Sequence, residues 1–108
     1  MDESERRRLQ EFPAFVDWVT SRDPTRGDTH LRLQCCLVDL NRIDFLGRFE
    51  SFEEDFARVC RRLGLPSDEV PHRNRSEHAP YRSYYDDKTV ERVGNFYERD
   101  VRLFGYRF

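Results

Sequence analysis

The chain has 108 residues, a length that allows one small domain at most. Charged residues make up 37% of it and hydrophobic residues also 37%, whereas soluble domains average about 25% and about 45–50%. A large hydrophobic core is therefore excluded, and burial has to rely on nine phenylalanines, five tyrosines and one tryptophan. The formal net charge of −2 argues against a general nucleic-acid-binding protein, which carries a strongly basic balance.

Membrane, disulfide and metal signals are all weak. No apolar run approaches the about 18 residues that a membrane-spanning helix needs, and residues 1–8 are charged rather than signal-like. The cysteines Cys35, Cys36 and Cys60 form no CxxC pair, and the histidines lack ligand spacing, so no metal site is expected. These features favour a cytoplasmic protein.

Helical periodicity first appears around Trp18. The predicted helix ends near Ser21, because Asp23-Pro24 moves the backbone out of the helical region. Residues 31–40 carry frequent apolar residues without a period and are expected to be irregular or extended. The periodic apolar residues of the first helix are Phe12, Phe15, Val16 and Val19.

A strand, a turn and a helix are predicted next. Residues 43–49 are rich in branched and aromatic side chains, which favours a strong β-strand. Ser51 then begins a helix with a capping-box pattern, in which its hydroxyl reaches the Glu54 amide. Gly64 ends this helix. Its expected apolar stripe consists of Phe52, Phe56, Val59, Cys60 and Leu63.

A long loop and a final helix complete the chain. The loop covers residues 65–85, and loops of this length are usually functional or disordered. Asp86 or Asp87 caps the last helix, which Gly105 ends. The side chains expected in the core of this region are Val90, Val93, Tyr97, Val101, Phe104, Tyr106 and Phe108.

A single strong strand has no partner within this chain, although isolated strands are unstable. We therefore expect the α/β class and a single partial domain over residues 1–108, mostly helical with one strong β-strand. The expected partner is an amino-terminal half that supplies the remaining strands.

Several motifs carry a family resemblance in their order and spacing. From Asp28 to Phe108 the chain resembles the carboxyl-terminal region of the carbohydrate sulfotransferases, the family of the chondroitin 4-sulfotransferases and their bacterial relatives. The resemblance implies a P-loop-like fold and transfer of a sulfuryl group from 3′-phosphoadenosine-5′-phosphosulfate (PAPS) to a carbohydrate hydroxyl. The motifs are residues 44–50, 53–56, 63–65, 71–76 and 81–87, with Asp100 and residues 104–106.

The resemblance also suggests residues for the acceptor side. His30 and Gln34 fall on a family pattern of His-Trp-x-Pro followed by Gln, in which Leu31 and Leu33 here replace the tryptophan and the proline. His30 is thus the candidate general base, with a surface or capping histidine as the alternative. Gln34 is a candidate substrate contact.

Arg48 and Tyr81 are two further candidate substrate contacts. Arg48 lies at the carboxyl end of the predicted strand, where it could reach a ligand. Tyr81 could stack on a sugar ring, although packing within the protein is the alternative.

The donor side is incomplete. The family grips the phosphosulfate group with a loop carrying Lys or Arg and Thr or Ser, and no glycine-rich loop of that kind occurs here, where the single lysine, Lys88, lies in the last helix. PAPS is thus implied as co-substrate, but the chain alone is expected to be inactive. The phosphate of PAPS, or a sulfated sugar, could bind to Arg73, Arg75 and Ser76. The alternative is that these residues form a solvated turn.

Two other interpretations remain open. The arginine loop could serve a non-enzymatic module that binds an anionic sugar or a phosphate, whose affinity would weaken with salt. Alternatively, the chain is a truncated product that folds poorly because its sheet is incomplete.

Overall fold

A computed structural model describes residues 1–66 and 77–108. It divides into two compact units, Met1–Leu40 with His78–Phe108 as the first and Asn41–Glu77 as the second. None of the helices in the described ranges combines the length and apolar character needed to cross a membrane. The α-helices are α1 (Glu3–Arg8), α2 (Phe12–Thr20), α3 (Phe52–Leu63), α4 (Asp87–Phe96) and α5 (Glu98–Phe104), and 3₁₀ helices occur at Gln34–Cys36, Phe49–Ser51 and Tyr81–Tyr84.

The predicted α/β class is wrong, because residues 1–66 and 77–108 contain helices and no strand. The predicted strand at residues 43–49 lacks a neighbouring strand to receive its backbone hydrogen bonds, and backbone groups left without partners are costly. The Arg48 amide instead donates to the Asp55 carboxylate over 2.9 Å, and the chain turns into a 3₁₀ helix at Phe49.

In the first unit, helices pack against helices and one 3₁₀ turn. α2 contacts α4, and Arg92 of α4 forms an ion pair with Asp17 of α2. α5 packs against the 3₁₀ helix Gln34–Cys36. The predicted first helix is confirmed, with Ser21 as its carboxyl-terminal cap. The buried apolar side chains of this unit are Val16, Val19, Leu33 and Phe104.

The final helical region starts and ends as predicted but is broken in the middle. Asp86 caps α4 through a reciprocal pair of hydrogen bonds with Thr89, and Gly105 ends α5 with a φ of 70°. Tyr97 separates the two helices, and its hydroxyl donates to the Leu31 carbonyl over 2.9 Å. This hydrogen bond therefore connects the junction between α4 and α5 to the segment before Gln34–Cys36.

Aromatic rings cluster at the carboxyl-terminal end of the first unit. Phe108 lies 6.1 Å from Tyr81 and 5.1 Å from Tyr85, measured between ring centroids. Tyr85 also meets Phe12 of α2 edge to face at 4.8 Å. The prediction that Phe108 and Tyr106 belong to the core is wrong, because they remain 52% and 38% exposed.

α3 dominates the described part of the second unit. Gly64 ends it in the left-handed region, with a φ of 69°, as predicted. The predicted capping box does not form: the Ser51 hydroxyl donates to the Asp55 carboxylate over 2.8 Å, while its side chain makes no cap to the helix backbone. Asp55 thus fixes the start of α3 by accepting from both Ser51 and Arg48.

The apolar stripe of α3 is largely exposed. Cys60 is buried, whereas Phe52 and Phe56 keep about two-fifths or more of their surface in solvent. Their rings lie nearly parallel, with centroids 6.0 Å apart. Of the predicted apolar stripe, Cys60 is the buried member, and most of the face remains in contact with solvent.

Candidate functional site

The segment from Asp23 to Cys36 is a loop with fixed anchors that ends in the 3₁₀ helix Gln34–Cys36. The Asp23 carboxylate accepts the Thr25 amide at 2.9 Å and the Thr25 hydroxyl at 2.6 Å. The Leu33 amide donates to the Pro24 carbonyl over 2.9 Å, and the Leu33 side chain is only 1% exposed. These contacts hold the loop in place although its residues before Gln34 lack regular structure.

His30 stands on this loop beside a carboxylate. Asp28 Oδ1 accepts the His30 backbone N–H over 2.9 Å and lies 2.8 Å from His30 Nδ1. These two hydrogen bonds hold the pKa of Asp28 below its usual value, and the one from the backbone N–H has the larger effect. The His30 side chain is 90% exposed, so its other ring nitrogen is accessible to a solute.

Asp28 was not among the predicted site residues. Its position two residues before His30 is a detectable signal, because Asp side chains commonly bond to backbone groups two residues further on. The structure adds that the imidazole joins the same oxygen.

A buried carboxylate fixes the loop's carboxyl-terminal end. Asp100 of α5 is 8% exposed, and it accepts the Gln34 amide at 2.6 Å and the Cys35 amide at 2.9 Å. Both amides belong to the first turn of a helix, where backbone N–H groups lack partners within the helix. Asp100 therefore orients Gln34, whose side chain is exposed, from more than sixty residues away in sequence.

The surroundings of Cys35 disfavour its thiolate. Burial, and then the neighbouring Asp100 carboxylate, raise the pKa of Cys35 from 9.0 to about 11. Both effects disfavour the thiolate, which is the reactive form of cysteine.

We expect iodoacetamide at pH 8 to label Cys35 about tenfold more slowly than a thiol of ordinary pKa, because about a hundredfold less of it is thiolate and the greater nucleophilicity of a high-pKa thiolate restores only part of that rate. The rate should keep rising up to about pH 11, because the raised pKa moves ionisation into that range. Mass spectrometry of digested samples measures it, with the exposed Cys36 as internal comparison. Equal labelling of the two at pH 8 would contradict this assignment.

Tyr81, a predicted substrate contact, lies on a 3₁₀ helix of the first unit and is 55% exposed. Its ring packs edge to face against Tyr85 and Phe108, and the Arg82 guanidinium lies 5.7 Å from the ring centroid. Packing therefore occupies part of the ring while more than half of the side chain remains open to solvent.

Arg48, another predicted substrate contact, lies in the second unit, where it lines an open cleft of about 400 Å³. That volume is at the lower end of small-molecule sites. Phe49 at the cleft is 80% exposed. The other lining residues are Phe45, Gly47, Phe52, Asp55, Phe56 and Val59.

The predicted site residues are thus only partly brought together. His30 and Gln34 lie on one anchored loop, on either side of the buried Leu33. The predicted donor contacts Arg73, Arg75 and Ser76 lie outside the described residues. Within residues 1–66 and 77–108 no three His, Cys, Asp or Glu side chains come together in a way that could hold a metal ion.

Comparison with known proteins gives one family. The chain matches the model described as "Sulfotransferase family" over residues 2–107. No curated protein and no solved structure matches it. The family match therefore extends beyond the region from Asp28 to Phe108 that carries the resemblance in the sequence.

Proposed function

Because the chain belongs to the sulfotransferase family, we propose that it serves the transfer of a sulfuryl group from PAPS to a carbohydrate hydroxyl. The observation that carries the proposal is His30, an exposed imidazole on an anchored loop, paired through Nδ1 with Asp28. The order of the motifs between Asp44 and Tyr106 supports a chondroitin 4-sulfotransferase-like protein and the carboxyl-terminal part of its domain.

His30 acts as the general base in this proposal. The acceptor hydroxyl gives its proton to the imidazole as its oxygen forms a bond to sulfur, and the bond from sulfur to the bridging oxygen of PAPS breaks. The products are the sulfated sugar and 3′-phosphoadenosine-5′-phosphate. A histidine suits this step, because its ordinary pKa lies near neutral pH and a base works best near its operating pH.

The acceptor is expected to contact the same unit. Gln34 presents an exposed amide next to the anchored turn, and Tyr81 presents an exposed ring that can stack on a sugar. Arg48 lies in the second unit and is proposed there, by itself, as a contact for an anionic group, since guanidinium forks pair well with carboxylate and sulfate oxygens. A cytoplasmic location remains a prediction.

The donor is gripped mainly by polypeptide outside this chain. The 5′-phosphate that leaves when the sulfuryl group is transferred needs backbone amides and a cation around it, and the sequence carries no glycine-rich loop with Lys or Arg and Ser or Thr. Arg73, Arg75 and Ser76 are proposed as auxiliary contacts to the phosphate. Alone, the chain is therefore expected to bind acceptor and to transfer nothing.

A transfer assay with ³⁵S-labelled PAPS and unsulfated chondroitin tests the proposed incompleteness of the donor side. The purified chain should leave the glycan unlabelled, and calorimetry should show no saturable binding of 3′-phosphoadenosine-5′-phosphate. Robust labelling by the chain alone would overturn the proposed incompleteness. Loss of glycan binding in an Arg73→Ala, Arg75→Ala double variant but not in His30→Ala would favour the non-enzymatic binding module.

A further inference from the structure

The contact between Asp28 and His30 fixes which ring nitrogen carries the proton. The Asp28 carboxylate is ionised at neutral pH, since hydrogen bonds lower its pKa. An ionised carboxylate only accepts hydrogen bonds. At 2.8 Å, His30 Nδ1 must therefore be the donor, and in the neutral imidazole Nε2 carries the lone pair.

We propose that Asp28 is a positioning residue for His30. Its carboxylate accepts the Nδ1–H of the imidazole and so leaves Nε2 as the proton acceptor. This inference rests on the proposed function for its role in sulfuryl transfer. The contact itself does not, because it is a property of the loop alone.

Two features of the loop make this pairing more than a chance surface contact. Asp28 Oδ1 also accepts the His30 backbone N–H at 2.9 Å, so the carboxylate is fixed relative to the residue whose ring it holds. The Arg32 Nε donates to the Gly27 carbonyl over 2.9 Å and closes the loop around that turn. The imidazole thus meets a carboxylate whose position is already set by the backbone.

During transfer, the pair has a simple proton balance. The proton of the acceptor hydroxyl moves to Nε2, and His30 becomes an imidazolium. Its Nδ1–H stays on the ring and continues to donate to the Asp28 carboxylate. The positive charge that forms then lies against a negative carboxylate, which stabilises it. No other proton has to move.

The imidazole tautomer is the direct readout. Long-range ¹H–¹⁵N spectra of the ¹⁵N-labelled chain, recorded where the imidazole is neutral, should show His30 mainly as the Nδ1–H form. In Asp28→Ala the population should invert to the Nε2–H form that a free imidazole prefers, and in Asp28→Asn it should be mixed. A wild-type His30 in the Nε2–H form would overturn the proposal.

Asp23→Ala is the matched control, because Asp23 forms the same kind of turn with Thr25 on the same loop and touches no imidazole. It should leave the His30 tautomer as in the wild type. An inversion in Asp23→Ala as large as in Asp28→Ala would assign the effect to loop disorder and overturn the proposal.

The reciprocal measurement keeps Asp28 intact and removes the imidazole instead. In His30→Ala the pKa of Asp28, followed by ¹³C NMR of its carboxyl carbon, should rise toward the ordinary 3.8 but stay below it, since the backbone N–H remains. His78→Ala, which removes another exposed imidazole, should leave it unchanged. No rise in His30→Ala would overturn the pairing.

These measurements need neither donor nor acceptor, so they separate the two proposals. A chain that fails to bind unsulfated chondroitin refutes the proposed function even if the Nδ1–H tautomer is found. A chain that binds chondroitin with His30 in the Nε2–H form refutes the role of Asp28 alone.

Discussion

Replacing Asp100 with alanine should lower the free energy of unfolding by about 3 kcal/mol, because two hydrogen bonds to a charged acceptor are lost together. The Gln34 and Cys35 amides would keep their part-buried positions without a partner. Urea unfolding followed by far-ultraviolet circular dichroism measures the change. For a small domain this is a large fraction of the total stability.

Asp100→Asn should be almost as damaging as the alanine variant. Each carboxylate oxygen accepts one amide, so an asparagine would oppose an N–H donor with its own NH₂ group. Glu98→Ala on the same helix is the matched control, since its exposed pair with Arg102 should contribute within about 0.5 kcal/mol. Equal losses for Glu98→Ala and Asp100→Ala would contradict the role of Asp100.

Leu33→Ala should cost about 3 kcal/mol of unfolding free energy, within the range for truncating a fully buried leucine. At 1% exposure Leu33 is the most deeply buried large side chain of the described residues. The loss has two parts, the apolar surface removed from the core and the cavity that remains. Urea unfolding again gives the value.

Leu37→Ala provides the comparison, because this leucine is four residues away and 48% exposed. Its truncation should change the unfolding free energy by less than about 1 kcal/mol, since little buried surface is lost. Should both variants unfold at the same urea concentration, Leu33 would not be the anchor of the loop.

Local signals predicted several of the helix boundaries. The apolar period around Trp18 and the turn after Ser21 bound α2, and glycines with positive φ end α3 and α5 at Gly64 and Gly105. These features depend on neighbours within a few residues, which the sequence displays directly.

Long-range partners could not be predicted in the same way. The strand prediction failed because β-propensity at residues 43–49 describes a side-chain pattern, whereas a strand exists only when another strand accepts its backbone bonds. The exposed face of Phe52 and Phe56 shows the same limit, since helical periodicity defines a stripe but not what covers it. Asp100 has no local signal, because its partners at Gln34 and Cys35 are distant in sequence.

Only part of the candidate site was predicted from the sequence. His30 and Gln34 came from a family resemblance, and the structure places both on one anchored loop. Asp28 is adjacent to His30 and was still not identified, because the sequence does not show whether the imidazole turns toward it.

The most direct test is an NMR titration of the labelled chain with an unsulfated chondroitin oligosaccharide. We expect saturable shifts in the amides of His30 and Gln34, with a neutral dextran oligosaccharide of equal length producing none. An unchanged spectrum, or equal shifts with dextran, would contradict an acceptor site on this loop.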